Sequence, residues 1–581
     1  MTSMPGHDLP DSTQTTIIHE TASHMEQQEK PLETEEVPPQ RSTFQSILLI
    51  STCTFAMLVN SSNNTSVAIA LPTIGADLNI EEAQLQWLVS AYSLSSGCLL
   101  VMFGRLADLY GRKRVFMLGS LWLLAFTLGC GFAKDEITLD VLRGLQGCGV
   151  AASIPASLGI LAHAFPPGKL RSIAFASFAA GAPLGAFTGM ALGAVMTQLT
   201  VPSWRSNFFL STGLTAMYML MGVWCIDADK PTTEVDRRVD WIGAFLVTAG
   251  LVLIVFVLSD GEVAPDQWRT SYIIALLIIG CFLIGCFLYW QWYLERVQNN
   301  PNAPYSAWTP PPIMKLSLWG RAKGRFAVAM VIALLTWCSF LGWNFWVQLY
   351  YQSYKHYNPV ETMLRMFPMF VTGVLCNVIV VFVVARVSVV WILASGTLIT
   401  GCASIFFALI DPNATYWAYG FPSAIFSVFG ADFVFAAGTI FVAKVVQPHE
   451  QSLAGALFQT MTQLGTALGV TVTTIVFNRV VAQDSRKLGV IVDHTGAGAP
   501  DAAMLNGYKA AQWTAFAFGM IATILAVIFM GGVGIVGDRK ESTTEETDSE
   551  ATMSITDGQS GDLEKGRNTP GAESAVKVPG A

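Results

Sequence analysis

Residues 46–71 read SILLISTCTFAMLVNSSNNTSVAIAL: an apolar run, a polar centre at residues 60–66, and a second apolar run. If a helix stopped before Asn60, the run from Ser46 to Val59 would be about 14 residues, whereas crossing a bilayer takes about 20. The polar centre is therefore predicted to lie inside a membrane helix and not in a surface loop. Asn60, Asn63 and Asn64 stand at i, i+3 and i+4, which puts them on one helical face, turned to protein or to a wet cavity and away from lipid. The same letters form N-glycosylation sequons, but a buried site cannot be modified. Asn413-Ala414-Thr415, between two later apolar runs, is the better acceptor.

Outward from that stretch, the whole chain is built for lipid. It is 52% hydrophobic and 13% charged, against about 25% charged for an average soluble domain. Residues 1–44 and 538–581 are polar and acidic and are predicted to be disordered tails. No small-residue cleavage site accompanies the first apolar run, so a removable signal peptide is not expected. Between the tails lie about fourteen apolar runs long enough to span as helices; they lack the alternation of a membrane barrel. The twelfth is predicted at 416–443 and the thirteenth at 451–477, with a long outer loop at 478–511.

Lysine and arginine set the orientation. The loops on the N-terminal side carry, among others, Arg112, Lys113, Arg114, Arg171, Arg237, Arg238, Arg321, Arg325, Arg386 and Lys444; the opposite short loops carry only Lys134, Arg205, Arg269 and Lys355. The positive-inside rule then puts both tails in the cytoplasm. All ten cysteines lie in or at the ends of apolar runs with no CxxC pair. Neither a disulfide framework nor a metal site is expected. No P-loop of the GxxxxGK[ST] form occurs, so ATP is not the expected energy source.

Residues 104–114, GRLADLYGRKR, make a tight turn in which Asp108 sits among Arg105, Arg112, Lys113 and Arg114. Carboxylates at helix ends can bind backbone N–H groups and arginines, so the cluster can hold two helix ends until a neighbouring event releases them. This stretch resembles the loop signature of the major facilitator superfamily between its second and third helices. Residues 142–152, LRGLQGCGVAA, resemble the family pattern with a membrane arginine, here Arg143, followed by Gln146, Gly147 and Gly149. Residues 181–193, GAPLGAFTGMALG, resemble the antiporter motif of export members. Fourteen spans point to the drug:proton antiporter branch, and residues 416–444 and 449–469 resemble fungal exporters of the aminotriazole and boron resistance type. The sugar-porter signatures PESPR and PETKG are absent.

The resemblance implies an all-α membrane protein of two six-helix bundles, at 45–228 and 325–537, around a central cavity, with two extra helices at 229–324. It implies alternating access, with spans one, four, nine and twelve lining the cavity. A conformational gate is assigned to Gly104, Asp108, Gly111 and Arg112. Gly181, Gly185, Gly189 and Gly193 recur every four residues, a smooth stripe for close helix packing beside Pro183. Deep ionisable residues are functional candidates by default. These are Arg143, Arg365 and Asp432, of which Asp432 is the one carboxylate well inside an apolar run.

Two departures matter. Counting back from Pro72, Asn63 stands where drug exporters often carry an Asp, and an amide cannot carry a proton. Proton coupling is then expected to lean on Asp432 and Arg143, with uniport as the alternative. In the fifth span, Gly181-Ala182-Pro183 and Gly185-Ala186 replace the usual Gly-Pro and Gly-Gly. Asn60, Asn63, Asn64, Gln146, Trp343 and Asn344 are the cavity candidates, and an aromatic cavity with few acids suits neutral or weakly polar organic compounds. The expected function is export of a drug, toxin or secondary metabolite by a monomer in the plasma membrane, or else the vacuolar membrane. Its partners would be the bilayer and the small solute, with no nucleic acid and no cofactor beyond a proton gradient. A non-transporting solute sensor is the other reading, and an enzyme is disfavoured because His163, His356, His449 and His494 are dispersed.

Overall fold

In a computed structural model of the protein, residues 42–80, 84–165, 169–229, 238–261, 267–300, 306, 308–383, 386–446, 451–490 and 498–531 are described. Apart from residues 42–44, the two tails fall outside them. Fourteen helices among the described residues are long and apolar enough to cross a membrane. The first half consists of α1 (Thr43–Leu78), α2 (Gln86–Tyr110), α3 (Arg112–Gly131), α4 (Glu136–Ala164), α5 (Lys169–Leu199) and α6 (Arg205–Cys225). A central hairpin follows, α7 (Trp241–Asp260) and α8 (Ser271–Gln298). The second half holds α9 (Arg325–Leu349), α10 (Pro359–Val383), α11 (Val389–Ala408), α12 (Tyr416–Ser427), α13 (Phe429–Val445), α14 (Gln451–Lys487) and α15 (Asp501–Phe529).

The opening stretch is one unbroken helix. Ser42 and Gln45 form a reciprocal capping box, so α1 starts at Thr43, inside the segment expected to be disordered, and it ends on Asn79 in the left-handed region. Hydroxyls within it fold back on their own helix: Thr52 donates to the Leu48 carbonyl and Thr65 to that of Ser61. Polar side chains satisfied this way can sit at membrane depth.

Two sequence expectations shift. The outer loop predicted at 478–511 is shorter, because α14 runs on to Lys487, where Asp484 accepts from Lys487 and Asn506. The twelfth span is broken into α12 and α13. Thr400 of α11 donates to the Ser427 carbonyl and accepts from the Gly430 N–H. A side chain inserted into the backbone ladder is a standard cause of such a break. It leaves Asp432 in the first turn of α13.

The halves repeat one packing plan. In the first, α1 packs on α5 and α6, α2 on α4, and α3 on α4 and α6; in the second, α9 packs on α14 and α15, α10 on α12 and α13, and α11 on α12, α13 and α15. The halves meet reciprocally, α2 against α14 and α5 against α10. The hairpin lies along one of these seams, α7 touching both α2 and α14. Its base is tied by Asp240, whose carboxylate accepts from Gly243 N–H at 2.7 Å, Trp290 Nε1 at 2.8 Å and Gln291 Nε2 at 2.6 Å.

The two ends of the bundle differ. At the end away from the GRLADLYGRKR turn, a single apolar core joins the halves, containing Val67, Ile69 and Leu71 of α1 together with Trp346, Leu349 and Met366 of the second half. Towards the basic end there are two main cores, one built on Leu49, Phe116 and Ile160 and another on Phe326, Leu393 and Phe441, the second taking in Val101 of α2 from the first half. The halves thus share one core at the far end, whereas towards the basic end most of each half packs on a core of its own.

Candidate functional site

Asp432 lies at mid-span in the second half, where α13 meets α10. Asn377 of α10 donates to Asp432 Oδ1 at 3.3 Å, while Oδ2 is buried, has no hydrogen-bond partner and lies near Gly373. Asn377 itself is exposed at mid-span. It lies two turns nearer the basic end than Phe370, which meets Phe187 of α5 with ring centroids 5.4 Å apart. The α5–α10 seam is closed at Phe187–Phe370.

Arg143 belongs to a different set, in the first half. It is 0% exposed. Its Nε donates to the Leu88 carbonyl at 2.8 Å, its Nη1 to Gln146 Oε1 at 2.6 Å, and the guanidinium lies 4.3 Å from the Tyr92 ring centroid. Gln146 Nε2 donates onward to Thr127 Oγ1, and Tyr92 Oη donates to Asn60 Oδ1 at 2.5 Å. The cluster ties α1, α2, α3 and α4 together. Among the described residues its Arg143 Nη2 has no hydrogen-bond partner, nor does Oδ1 of Asp140, one turn earlier on α4.

The three asparagines of the opening stretch therefore separate. Asn60 faces α2 through Tyr92, Asn63 is 1% exposed with an unpartnered Nδ2, and Asn64 is half-buried with an unpartnered Oδ1. Trp343 points into the second bundle, donating from Nε1 to Ser423 Oγ at 2.8 Å. Asn344, on the next residue, turns elsewhere and leaves its Oδ1 unpartnered. Arg365 stands at the far end, 3.8 Å from the Tyr357 ring centroid.

The gate residues sit where α2 turns into α3. Arg112 pairs with Asp108 at 3.0 Å and lies against Gly159 of α4. A carboxylate that sequence reading passed over completes the turn: Asp229, after α6, accepts from the N–H groups of Lys113 at 2.8 Å and Arg114 at 3.0 Å. Lys113 Nζ donates back to the Val223 and Ile226 carbonyls. Gly111 has φ of 106°, and a Cβ there would run into the Asp229 carboxylate. The visible signal was an acidic pair, Asp227 and Asp229, in a basic loop. Asp229→Ala is expected to destabilise the protein by about 1 kcal/mol through loss of the α3 cap, read as a lowered melting temperature; an unchanged melt would remove Asp229 from the clamp.

The stripe on α5 lies against α1. A Cβ on Gly181 would come within 2.7 Å of the Thr54 carbonyl and one on Gly193 within 2.8 Å of Ser66 Cα, with Leu58 and Ser62 still closer to Gly185 and Gly189. Pro183 lies within the same helix, half-buried. Gly465 and Gly469 of α14 meet Leu334 and Cys338 of α9 in the same manner.

Such a pair of repeats, with a clamp after the second helix, matches a known family. The family model of the Major Facilitator Superfamily matches residues 53–240 and 237–470. The chain belongs to the major facilitator superfamily. Among superfamily relatives, the efflux pump terJ of Aspergillus terreus is 26% identical over 84% of this chain and 89% of its own length. The aminotriazole resistance protein of Saccharomyces cerevisiae is 24% identical, covering 86% and 87%. A solved bacterial homolog of the human lysosomal transporter Spinster, inward-facing and unoccupied, superposes with a TM-score of 0.54 at 17% identity, covering 84% of this chain and 97% of that one. The protein is a multi-pass integral membrane transporter of this superfamily.

Proposed function

We propose that the protein exports a small organic compound from the cytoplasm in exchange for protons, by alternating access. The observation that carries the reading is the carboxylate of Asp432 at mid-span in the second half, hydrogen-bonded to an exposed amide of α10. A carboxylate so placed meets the solute path and can take up and give back a proton. The positive-inside rule makes the basic end cytoplasmic; the arrangement described then faces the cytoplasm, ready to load solute for export. Relatives named for efflux and for resistance to a small azole support outward transport of organic compounds. The plasma membrane is the proposed location, with the vacuolar membrane as its alternative. Asn413, exposed in the turn between α11 and α12 at the far end, would then be open to glycosylation.

One observation favours a second reading, facilitated uniport. α1 carries amides but no carboxylate before Asp77, so the helix that often holds a titrating group has none at depth. The deciding experiment is solute flux in sealed vesicles of purified protein with and without an imposed pH gradient. Flux that rises with a gradient directed against the solute supports antiport. Flux indifferent to the gradient supports uniport, and no flux of any compound in a broad panel would defeat transport.

A further inference from the structure

On α9, side-chain amide atoms are buried with no hydrogen-bond partner among the described residues, namely Oδ1 of Asn344 and both Nε2 and Oε1 of Gln348; Oδ1 of Asn64 on α1 is in the same condition. Asn344 and Gln348, four residues apart, share one face of α9, and Gln352 follows four residues later in the π-helical turn Tyr350–Tyr354 that continues it. Gln352 shows where that face looks, because its Nε2 donates at 2.9 Å to the Ile69 carbonyl of α1, across the gap between the halves. The other side of α9 is occupied: Trp346 donates to Thr473 of α14 and stacks on Phe477 at 4.2 Å. Gln348 is 0% exposed and Asn344 5%. They lie one and two turns nearer the basic end than Gln352, under the closure that Gln352 helps to make.

Buried amides left unpaired are costly, and an apolar side chain of similar size would avoid the cost. Their retention calls for an occupant that pairs with them. Neither helix supplies a countercharge: α9 has no charged residue between Arg325 and Lys355, and α1 has none before Asp77. A cation or anion here would find no partner on these two helices, whereas a neutral polar group would. A primary amide offers a donor beside an acceptor, and Gln348 has both unspent.

We propose that Gln348, flanked by Asn344, binds uncharged solutes that present an N–H donor next to a nitrogen or oxygen acceptor, the edge shared by lactams, amides and azoles. The proposal rests on the transport reading and narrows it to a substrate class. Two parallel hydrogen bonds would hold the edge, with Asn344 Oδ1 taking any further N–H.

The test is calorimetric titration of the full-length protein in nanodiscs with three probes: 2-pyridone, which has the edge; N-methyl-2-pyridone, which keeps the ring and loses the donor; and N-methylpyridinium, a cation of similar size. The wild type is expected to bind 2-pyridone about tenfold more tightly than its N-methyl form and not to bind the cation. Gln348→Leu should erase that tenfold preference while the melting temperature holds or rises, since an unpaired amide has been removed. A role in folding alone would instead lower the melt. Should Gln348→Leu fail to fold, Gln348→Met, which keeps the length and carries no donor, and Asn344→Leu carry the same comparison. A preference that survives in the variants, a preference for the cation, no binding of any probe, or a lowered melt in every variant overturns the proposal. Discriminating binding without flux of any solute would leave this site standing and defeat the transport reading instead.

Discussion

Asp432→Asn is expected to reduce gradient-driven flux to the level of protein-free vesicles while solute binding survives. The substitution keeps the size of the side chain and its oxygen toward Asn377, so the break between α12 and α13, which depends on Thr400, is not disturbed. What it removes is the ability to take and release a proton. Facing Asp432 are Asn377, Gly373 and Cys376 of α10, and no lysine, arginine or other carboxylate forms an ion pair with it among the described residues. Arg143 cannot substitute, being held in the first half by Leu88 and Gln146. Gradient-driven flux equal to wild type would take Asp432 out of the coupling step and leave Asp140, beside Arg143, as the carboxylate to test next. A control follows from the same geometry: Asn377→Ala should shift the pH dependence of flux without abolishing it, because it changes the partner of the carboxylate and not the carboxylate.

Much of this was legible in the letters. The count of spans followed from run length and bilayer thickness, and the unbroken first helix from the arithmetic of residues 46–71. What the letters hide is direction. Asn60, Asn63 and Asn64 share a helical spacing, yet a helix enclosed on several sides sends neighbouring residues to different partners: Asn60 goes to Tyr92 of α2, Ser62 and Thr65 lie against Gly189 of α5, and the Ser66 carbonyl accepts from Asn207 of α6. Spacing predicts a face only where one side is buried and one is free. Asp229 was hidden for a related reason, since nothing in the local pattern says that a carboxylate over a hundred residues away will cap α3. Gln348 was readable as polar but not as unpaired, which is a property of the assembled seam.

The largest structural effect is expected where the helices approach most closely. Gly185→Val should remove the monodisperse protein from detergent extracts, because α1 and α5 form the most extensive helix pair among the described residues and a Cβ on Gly185 would lie against the Leu58 backbone carbonyl. A backbone atom cannot rotate away as a side chain can. Overpacking in a well-packed interior costs about 1–3 kcal/mol where side chains can yield, and more where they cannot. Gly469→Val should do the same in the second half, where its Cβ would meet Cys338 of α9. Gly213→Val on α6, with nothing within 4 Å of its Cβ, is the control and should leave size-exclusion behaviour unchanged. If all three variants behaved alike, the glycines would not be the reason these helices sit so close. If only the first two fail, the stripe is the internal spine of each half, which must stay rigid for one half to rock against the other along the α2–α14 and α5–α10 seams. In that case the glycine stripe serves the transport cycle by keeping each bundle from deforming, and the moving parts are the seams between the bundles.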